Sequence, residues 1–510
     1  MLAKVHSMGV VGIDAFPVEV EVYIARGEVP RSSIVGLPDA SVKESMDRVN
    51  AALRNSGYQL PPASATVNLA PAHRRKEGPV FELPIALGLL QAADAVQLQD
   101  RQRYVVVGEL ALDGRVRPVR GCLAMAMRAR KERYDGIVVP LDNAKEAGVV
   151  SGLSVVPVNT LADAVGFLTG ALALKPLSLN PQETLRSAPT YEVDFAEVQG
   201  QHHVKRALEV AAAGGHNVLM IGPPGAGKSM LAQRLCTVLP PLTIEESLET
   251  TRIYSVSGLL EPGRSLLAVR PFRSPHHTVS SVGLVGGGTH PKPGEVSLAH
   301  HGVLFLDEFP EYHRSALEAL RQPLEDGHIT IARAQTTVTY PAQFMLVAAM
   351  NPCPCGNYTN PRRQCRCTHR QIENYRRRIS SPLLDRIDIH VDVPPLEYRD
   401  LAASRPAEPS DAVRERVVEA RRRQLARFED RSFFTNARMQ RRHVKKWCEV
   451  GDEGQRLLRA AMETLGLSAR AYDKILRTAR TIADLEGRHD IIPQHITEAI
   501  NYRTLDRRLE

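Results

Sequence analysis

Val18, Val20, Val22 and Ile24 alternate with Glu19, Glu21 and Tyr23, the two-residue period of a half-buried strand. Three later runs lack that alternation: Asn217-Val-Leu-Met-Ile221, Val303-Leu-Phe-Leu306 and Phe344-Met-Leu-Val-Ala-Ala-Met350. Continuous apolar runs of this length predict strands buried on both faces, the habit of a parallel sheet. Residues 329–340 alternate on both sides of 333–335 and predict a hairpin, and Asp113-Gly114 in the middle of 104–119 predicts another. Helices are predicted over 42–55 and 123–131, which makes residues 1–170 a mixed α+β unit. Residues 171–190 hold Pro176, Pro181 and Pro189 among Ser and Asn and read as a linker. A second unit spans 191–395. Residues 396–411, rich in Pro, Ala and Ser, read as a further linker. The last stretch, 412–510, is helical, with Gly466 and Gly487 between helices. The predicted architecture is multidomain α/β, with an N-terminal α+β domain, a central α/β core and a C-terminal helical domain.

A chain of 510 residues exceeds one ordinary core, which agrees with that division. With 43% hydrophobic and 24% charged residues, the composition is that of a soluble globular protein. No apolar run reaches the roughly 18 residues of a membrane span. Asp14 interrupts the N-terminal stretch, so a secretory signal is not expected. Seven cysteines, four of them clustered, do not suggest a disulfide scaffold, and a reducing cytoplasm is the expected compartment. The net charge of +8 leans toward a polyanionic partner. The runs Arg376-Arg-Arg378 and Arg421-Arg-Arg423 sharpen this, although a solvated helix face accounts for them equally well.

The run ending at Ile221 leads into Gly222-Pro223-Pro224-Gly225-Ala226-Gly227-Lys228-Ser229, followed by Met230. This is the full G-x-x-x-x-G-K-S phosphate-binding pattern between a strand and a helix. Triphosphate oxygens need many donors in a small space. Glycines let backbone N–H groups turn inward, and a helix N-terminus adds partial positive charge. Lys228 is the candidate partner of the β- and γ-phosphates of ATP, and the Ser229 hydroxyl a candidate Mg²⁺ ligand. The run ending at Leu306 leads into Asp307-Glu308. Asp307 is expected to hold the water shell of Mg²⁺, and Glu308 to act as general base toward the attacking water. The run ending at Met350 leads into Asn351-Pro352, where Asn351 either orients the lytic water or simply forms a turn. Arg386 lies between Asp385 and Asp388. It is either paired with one of them or an arginine finger aimed at a neighbouring subunit's γ-phosphate. Arg470, in Ser468-Ala-Arg470-Ala-Tyr472, is a candidate second sensor of that phosphate.

Together these residues resemble the AAA+ superfamily, and more closely its magnesium-chelatase-like branch. The longer strings that carry the resemblance are Arg270-Pro-Phe-Arg-Ser-Pro-His-His277, Gly286-Gly-Gly288, Pro293-Gly-Glu-Val-Ser-Leu-Ala-His300, Asn351-Pro-Cys-Pro-Cys-Gly356 and Leu383-Leu-Asp-Arg-Ile-Asp388. The resemblance covers nearly the whole chain. It implies a homo-hexameric ATPase ring that moves DNA, single-stranded or branched. In the branch member most resembled, it implies a branch-migration helicase in homologous recombination of incoming DNA during natural transformation (competence), with recombination proteins as partners and no membrane association. It also implies an inserted element within about 258–297, whose Gly283 and Gly286-Gly-Gly288 are either a mobile pore loop or a plain surface loop. On the predicted hairpin at 329–340 it implies a DNA-contacting basic residue, here Arg333.

Cys353-x-Cys355 and Cys365-x-Cys367, with His369 close behind, offer four thiolates for a structural Zn²⁺. The other reading is four free thiols in a Pro/Arg-rich loop, since C-x-C is tighter than the usual C-x-x-C. Residues 76–79 and 108–118 resemble the Lon protease domain of the ribosomal S5 domain 2-like fold. Val80 and Leu123 stand where its serine and lysine are expected, so no peptidase activity is predicted. A chelatase-type ATPase that remodels a protein partner, and a non-hydrolysing scaffold, are the competing functions.

Overall fold

The computed structural model describes residues 1–25, 32–61, 63–98, 103–186, 191–289, 291–333, 336–358, 360, 363–395, 407–428 and 435–505. The chain divides into two compact units: Met1–Ala188 with Thr243–Ala268, and Pro189–Leu242 with Val269–Glu510.

The first unit is built on β1 (Leu2–Val11), β2 (Asp14–Ala25), β3 (Ser32–Val35), β4 (Ser64–Ala70), β5 (Tyr104–Val106), β8 (Gly136–Pro140) and β9 (Ser154–Val158). They form one mixed sheet in the order β3-β4-β2-β1-β5-β8-β9. The alternating run falls on β2: Val18, Val20 and Val22 are buried, while Glu19 and Glu21 reach Lys4 on the neighbouring strand. The Asp113-Gly114 turn closes only a short hairpin, β6 (Glu109–Leu110) with β7 (Val116–Arg117). Gly114 takes the left-handed φ of +86° that such a turn requires. β5, at the start of the run expected to form the hairpin, instead pairs in parallel with β1 and β8. The predicted helices appear as Ala40–Asn55 and Cys122–Lys131. Asp39 caps the first of them, accepting from the Val42 N–H at 2.8 Å.

Two stretches behave differently from their expected roles. Helix Ile244–Ser257 lies inside the expected 191–395 unit, yet it packs in the first unit. The Gly121 N–H donates to the Ser255 carbonyl at 3.2 Å, and Leu248 and Leu266 join the first unit's core. The helix buries Ser247, Thr250, Thr251, Ile253 and Ser255, a mostly polar face that apolar spacing does not reveal. In the expected 171–190 linker, Leu177 bridges to Val155 on β9, and Leu174, Leu177 and Leu179 pack against the core. Helix Pro181–Arg186 follows. The polar residues and prolines hid three leucines whose uneven spacing, three residues and then two, gives no helix or strand period. Residues 187–190 of that stretch lie outside the described residues.

In the second unit β10 (Val218–Ile221), β11 (Phe272–Arg273), β14 (Val303–Leu306), β17 (Met345–Met350) and β18 (Ile389–Asp392) form an all-parallel sheet in the order β11-β14-β17-β10-β18. Every residue of β10, β14 and β17 is buried, as their unbroken apolar runs require. Two hairpins accompany the sheet: β12 (Gly286–Gly287) with β13 (Lys292–Pro293), and β15 (His328–Arg333) with β16 (Thr336–Pro341). Helices Ser410–Arg427, Asp452–Leu465, Ala469–Leu485 and Pro493–Asn501 contribute side chains to the same hydrophobic core as β10, β14, β17 and β18. The first starts at Ser410, inside the expected 396–411 linker, of which 396–406 lie outside the described residues.

The arginine runs have local duties. Arg421 donates to the Ala212 and Ala213 carbonyls and Arg423 to that of Asp484, while Arg422 pairs with Glu419 in solvent. Arg376 donates to Pro352 O and Arg378 pairs with Glu311. Neither run is a bare cationic face. No helix among the described residues is long and apolar enough to cross a membrane.

Candidate functional site

β10 is the first strand of its sheet in sequence, yet it lies inside the sheet between β17 and β18. Connections leaving β10 and its neighbours diverge there, which opens a crevice at their carboxyl ends. A cleft of about 600 Å³ occupies that position. It is lined by residues 224–230, by Ser274-Pro-His-His277, and by Asp307, Glu308, Met350 and Asn351.

The loop after β10 owes its shape to glycines with separate reasons. At Gly222 a Cβ would stand 2.2 Å from the Val393 carbonyl, so the strand packing admits no side chain. Gly225 and Gly227 adopt φ of +76° and +86°. Gly227 is the N-cap of helix Lys228–Val238 and offers no side chain to its first turn. The N–H groups of that turn are therefore available to an anion. Lys228 is buried, and its Nζ donates to Gly222 O (2.7 Å), Pro223 O (3.0 Å) and Asn351 Oδ1 (3.2 Å). Burial holds its pKa below the ordinary lysine value, against the raising influence of Asp307 and Glu308. Gly222 and Pro223 thus stand behind the cleft and anchor the lysine through their carbonyls.

Ser229 Oγ donates to Asp307 Oδ2 at 2.7 Å, and the Glu308 N–H donates to Asp307 Oδ1 at 2.9 Å. A hydroxyl beside a carboxylate suits a hard cation such as Mg²⁺, and the lysine with the helix N–H groups suits phosphate oxygens. The donor set therefore fits a magnesium-bound nucleoside triphosphate. Glu308 has φ +52°, a left-handed backbone costing a non-glycine residue about 1–3 kcal/mol and concentrated at functional sites. Its Oε2 lies 3.2 Å from His277 Nδ1. The Tyr312 hydroxyl fixes the same segment by donating to Pro275 O at 2.6 Å. Sequence reasoning gave residues 274–277 no site role, although they sit in the Arg270-to-His277 string.

Arg386 and Arg470 lie outside the cleft. The Arg386 backbone carbonyl accepts from Asn217 Nδ2 at 2.9 Å, which puts it at the amino end of β10, opposite the cleft. Its guanidinium forms an ion pair with Glu325 and donates to Pro382 O at 2.5 Å. The alternative reading, a pairing with Asp385 or Asp388, is not what the structure shows. Asp388 instead lies 3.0 Å from Lys474 Nζ and 3.6 Å from His216 Nδ1. Arg470 lies 4.0 Å from Asp385 and is largely exposed.

Arg333 ends β15 with its side chain exposed, and its Nε approaches Gly288 O at 3.4 Å. Gly286 and Gly287 are buried in β12, so this part of the glycine string is a paired strand. A Cβ at Gly286 would lie 3.1 Å from Ile331 Cδ1, and the Tyr340 hydroxyl donates to Pro291 O at 2.7 Å. The two hairpins are packed side by side.

The Sγ atoms of Cys353, Cys355, Cys365 and Cys367 all lie within 4.8 Å of one another. Three of the separations are 3.4, 3.7 and 3.6 Å. His369 is outside the group, exposed and paired with Glu373. Burial pushes Cys353 up to about 12, whereas the N–H groups of Arg366 and Asn357 hold Cys355 down to about 6.

Three family descriptions match the chain: "Magnesium chelatase, subunit ChlI" over 194–401, "Subunit ChlI of Mg-chelatase" over 20–143, and "Magnesium chelatase, subunit ChlI C-terminal" over 407–503. The YifB protein of Salmonella typhimurium is 43% identical over 511 residues, covering 100% of this chain and 98% of its own length. Competence protein ComM of Haemophilus influenzae is 43% identical over 516 residues, covering 100% and 99%. The magnesium-chelatase 38 kDa subunit of Rhodobacter capsulatus is 27% identical over 177 residues, covering 31% of this chain and 50% of its own. Full-length identity of this order, with all three chelatase-type matches in sequence, shows that the chain belongs to the magnesium-chelatase-like AAA+ family of the YifB and ComM proteins.

Proposed function

We propose that this protein is an ATP-driven, hexameric DNA helicase and translocase that promotes branch migration in homologous recombination of incoming DNA; the full-length likeness to a relative named as a competence protein supports the competence part of that reading. The family implies ATP and Mg²⁺ as cofactors. Lys228 and the N–H groups of residues 225–230 would hold the phosphates, and Ser229 and Asp307 would hold Mg²⁺, which would neutralise charge on the phosphoryl group. Glu308 polarises the attacking water and Asn351 orients it. The observation that carries the reading is the seat of Arg386 at the sheet end opposite its own cleft, where its guanidinium pairs with Glu325 and stands away from its own phosphate loop. An arginine so placed serves a neighbour's cleft, so catalysis requires a ring. Arg470 assists as a second sensor. Arg333, exposed at its hairpin tip, contacts DNA phosphates without regard to sequence. The protein works in the cytoplasm beside recombination proteins.

The first unit is read as a Lon-protease-like domain with an architectural or DNA-handling role. Val80 and Leu123, at the dyad positions, are buried aliphatic side chains that offer no nucleophile or base. A chelatase-type ATPase that remodels a protein partner is the second reading, favoured by the partial likeness to the 38 kDa subunit.

Branch migration of a synthetic three- or four-way junction with ATP tests the proposal directly. DNA-stimulated turnover separates the two readings, since the second expects stimulation by a protein alone. Arg386→Ala is expected to cost about 10³-fold in turnover. Mixing it with Lys228→Ala subunits restores part of the activity if the cleft is shared, and failure to rescue at every ratio counts against a trans arginine.

A further inference from the structure

We propose that Cys353, Cys355, Cys365 and Cys367 form a tetrathiolate Zn²⁺ site that clips the 351–368 connection onto the phosphate loop. Zinc binds thiolates at about 2.3 Å in a tetrahedron, which places the sulfurs about 3.8 Å apart. The separations of 3.4, 3.7 and 3.6 Å, with all four sulfurs within 4.8 Å, match that figure. They do not match a disulfide, whose sulfurs are about 2.0 Å apart.

Two simpler explanations for four gathered thiols fail. Cys122, Cys236 and Cys448 are buried in apolar surroundings as ordinary core residues, but of the four only Cys353 is buried and Cys355 is exposed. Hydrophobic burial therefore does not collect them. Nor does regular structure: among the described residues, nothing between the end of β17 at Met350 and the helix at His369 is helix or strand. A connection of this length with a convergent thiol cluster is the situation in which a bound metal supplies the folding energy. The surroundings suit the resulting charge. Four thiolates around Zn²⁺ leave a net −2, the Asn357 and Arg366 N–H groups point at the Cys355 sulfur, and Arg363 and Arg366 are exposed alongside. Gly356 closes the first C-x-C turn with φ +78°, its N–H donating to Cys353 O at 2.9 Å.

The clip has a target. A Cβ on Gly356 would lie 2.5 Å from Pro224 Cδ and 2.7 Å from Cγ, so the turn rests directly on the phosphate loop. Asn351, two residues before Cys353, accepts from Lys228. Metal loss therefore loosens the loop from one side and the Asn351 contact from the other. This second half rests on the ATP reading, and the first does not.

Elemental analysis of the full-length protein, purified without chelator or metal resin, is expected to give about one zinc per chain. Titrating the thiols with an organomercurial should release that zinc as four of them react. Far less than one zinc, or iron in its place, overturns the site. Cys355→Ser and Cys365→Ser should each lose most of the metal. Because either variant can unfold, exchange of Co²⁺ into the wild-type protein supplies an independent reading: visible bands of tetrahedral cobalt thiolate support the site, and their absence sinks it. Lys228→Ala, inactive in turnover, should keep its zinc, which separates this proposal from the fate of the ATP reading. Stripping zinc from the wild type is expected to lower turnover at least about tenfold, with recovery on adding zinc back. A stripped protein of unchanged turnover overturns the clip.

Discussion

The two ends of the five-stranded parallel sheet carry similar side chains in opposite circumstances. At the amino ends, Asp388 accepts from the Asn217 N–H at 3.0 Å and faces Lys474 and His216. Burial pushes its carboxyl pKa up, but Lys474, with the His216 ring beside it, outweighs this and holds it well below the usual range. Lys474 is lowered to about 8 by burial, with Asp388 opposing. The geometry favours the charged pair at neutral pH, because the carboxylate also receives a backbone donor. At the carboxyl ends, Lys228 is also buried, yet its acceptors are two carbonyls and an amide oxygen, none of them charged. One end is electrically closed by its own residues. At the other the lysine's direct hydrogen-bond partners are all neutral, with Asp307 and Glu308 acting on it only through space. Within one sheet, that difference separates a polar cluster built for stability from one built for a ligand.

The comparison predicts that substitutions at the two ends fail in different ways. Lys228→Ala should reduce ATP turnover by about 10³-fold or more, while its urea midpoint stays close to that of the wild type; a variant that unfolds instead would erase the distinction. Asp388→Asn should do the reverse and cost about 3–5 kcal/mol of stability, read from urea denaturation, because Lys474 is left buried without its partner. A pH series sharpens the same point. The folded pKa of Asp388 lies below the unfolded value of about 3.9, so its contribution is complete above that pH and is lost as the pH falls toward the folded value. Asp388→Asn should flatten this acid limb of the stability curve, and an unchanged limb would mean that other carboxylates dominate it. The smallest effect is expected for His277→Ala. Its contact with Glu308 is partly exposed and worth no more than about 1 kcal/mol, so turnover should change by less than about fivefold.

What was legible in the sequence divides along the same line. The open end was readable because its residues sit next to strong local signals. Unbroken apolar strands lead directly into Gly222, Asp307 and Asn351, and the sheet brings those three strand ends together. The closed end was not readable. His216, Asp388 and Lys474 come from three distant parts of the chain, and no spacing joins them. Arg386 shows the boundary between the two. Its setting suggested an arginine finger or, alternatively, a pairing with Asp385 or Asp388; the fold removes the alternative, giving Asp388 to Lys474 and Arg386 to Glu325. Helix Ile244–Ser257 was missed as a member of the first unit because the face it buries is mostly Ser and Thr, which no apolar spacing announces. The glycine string at 286–288 suggested mobility, whereas two of its residues are held in a strand by neighbours that a linear reading could not supply.

The pinning of the two hairpins, through Tyr340 to Pro291 and through Ile331 against Gly286, has a mechanical corollary. A displacement of one hairpin is therefore resisted by side chains of the other as well as by its own strand pairing.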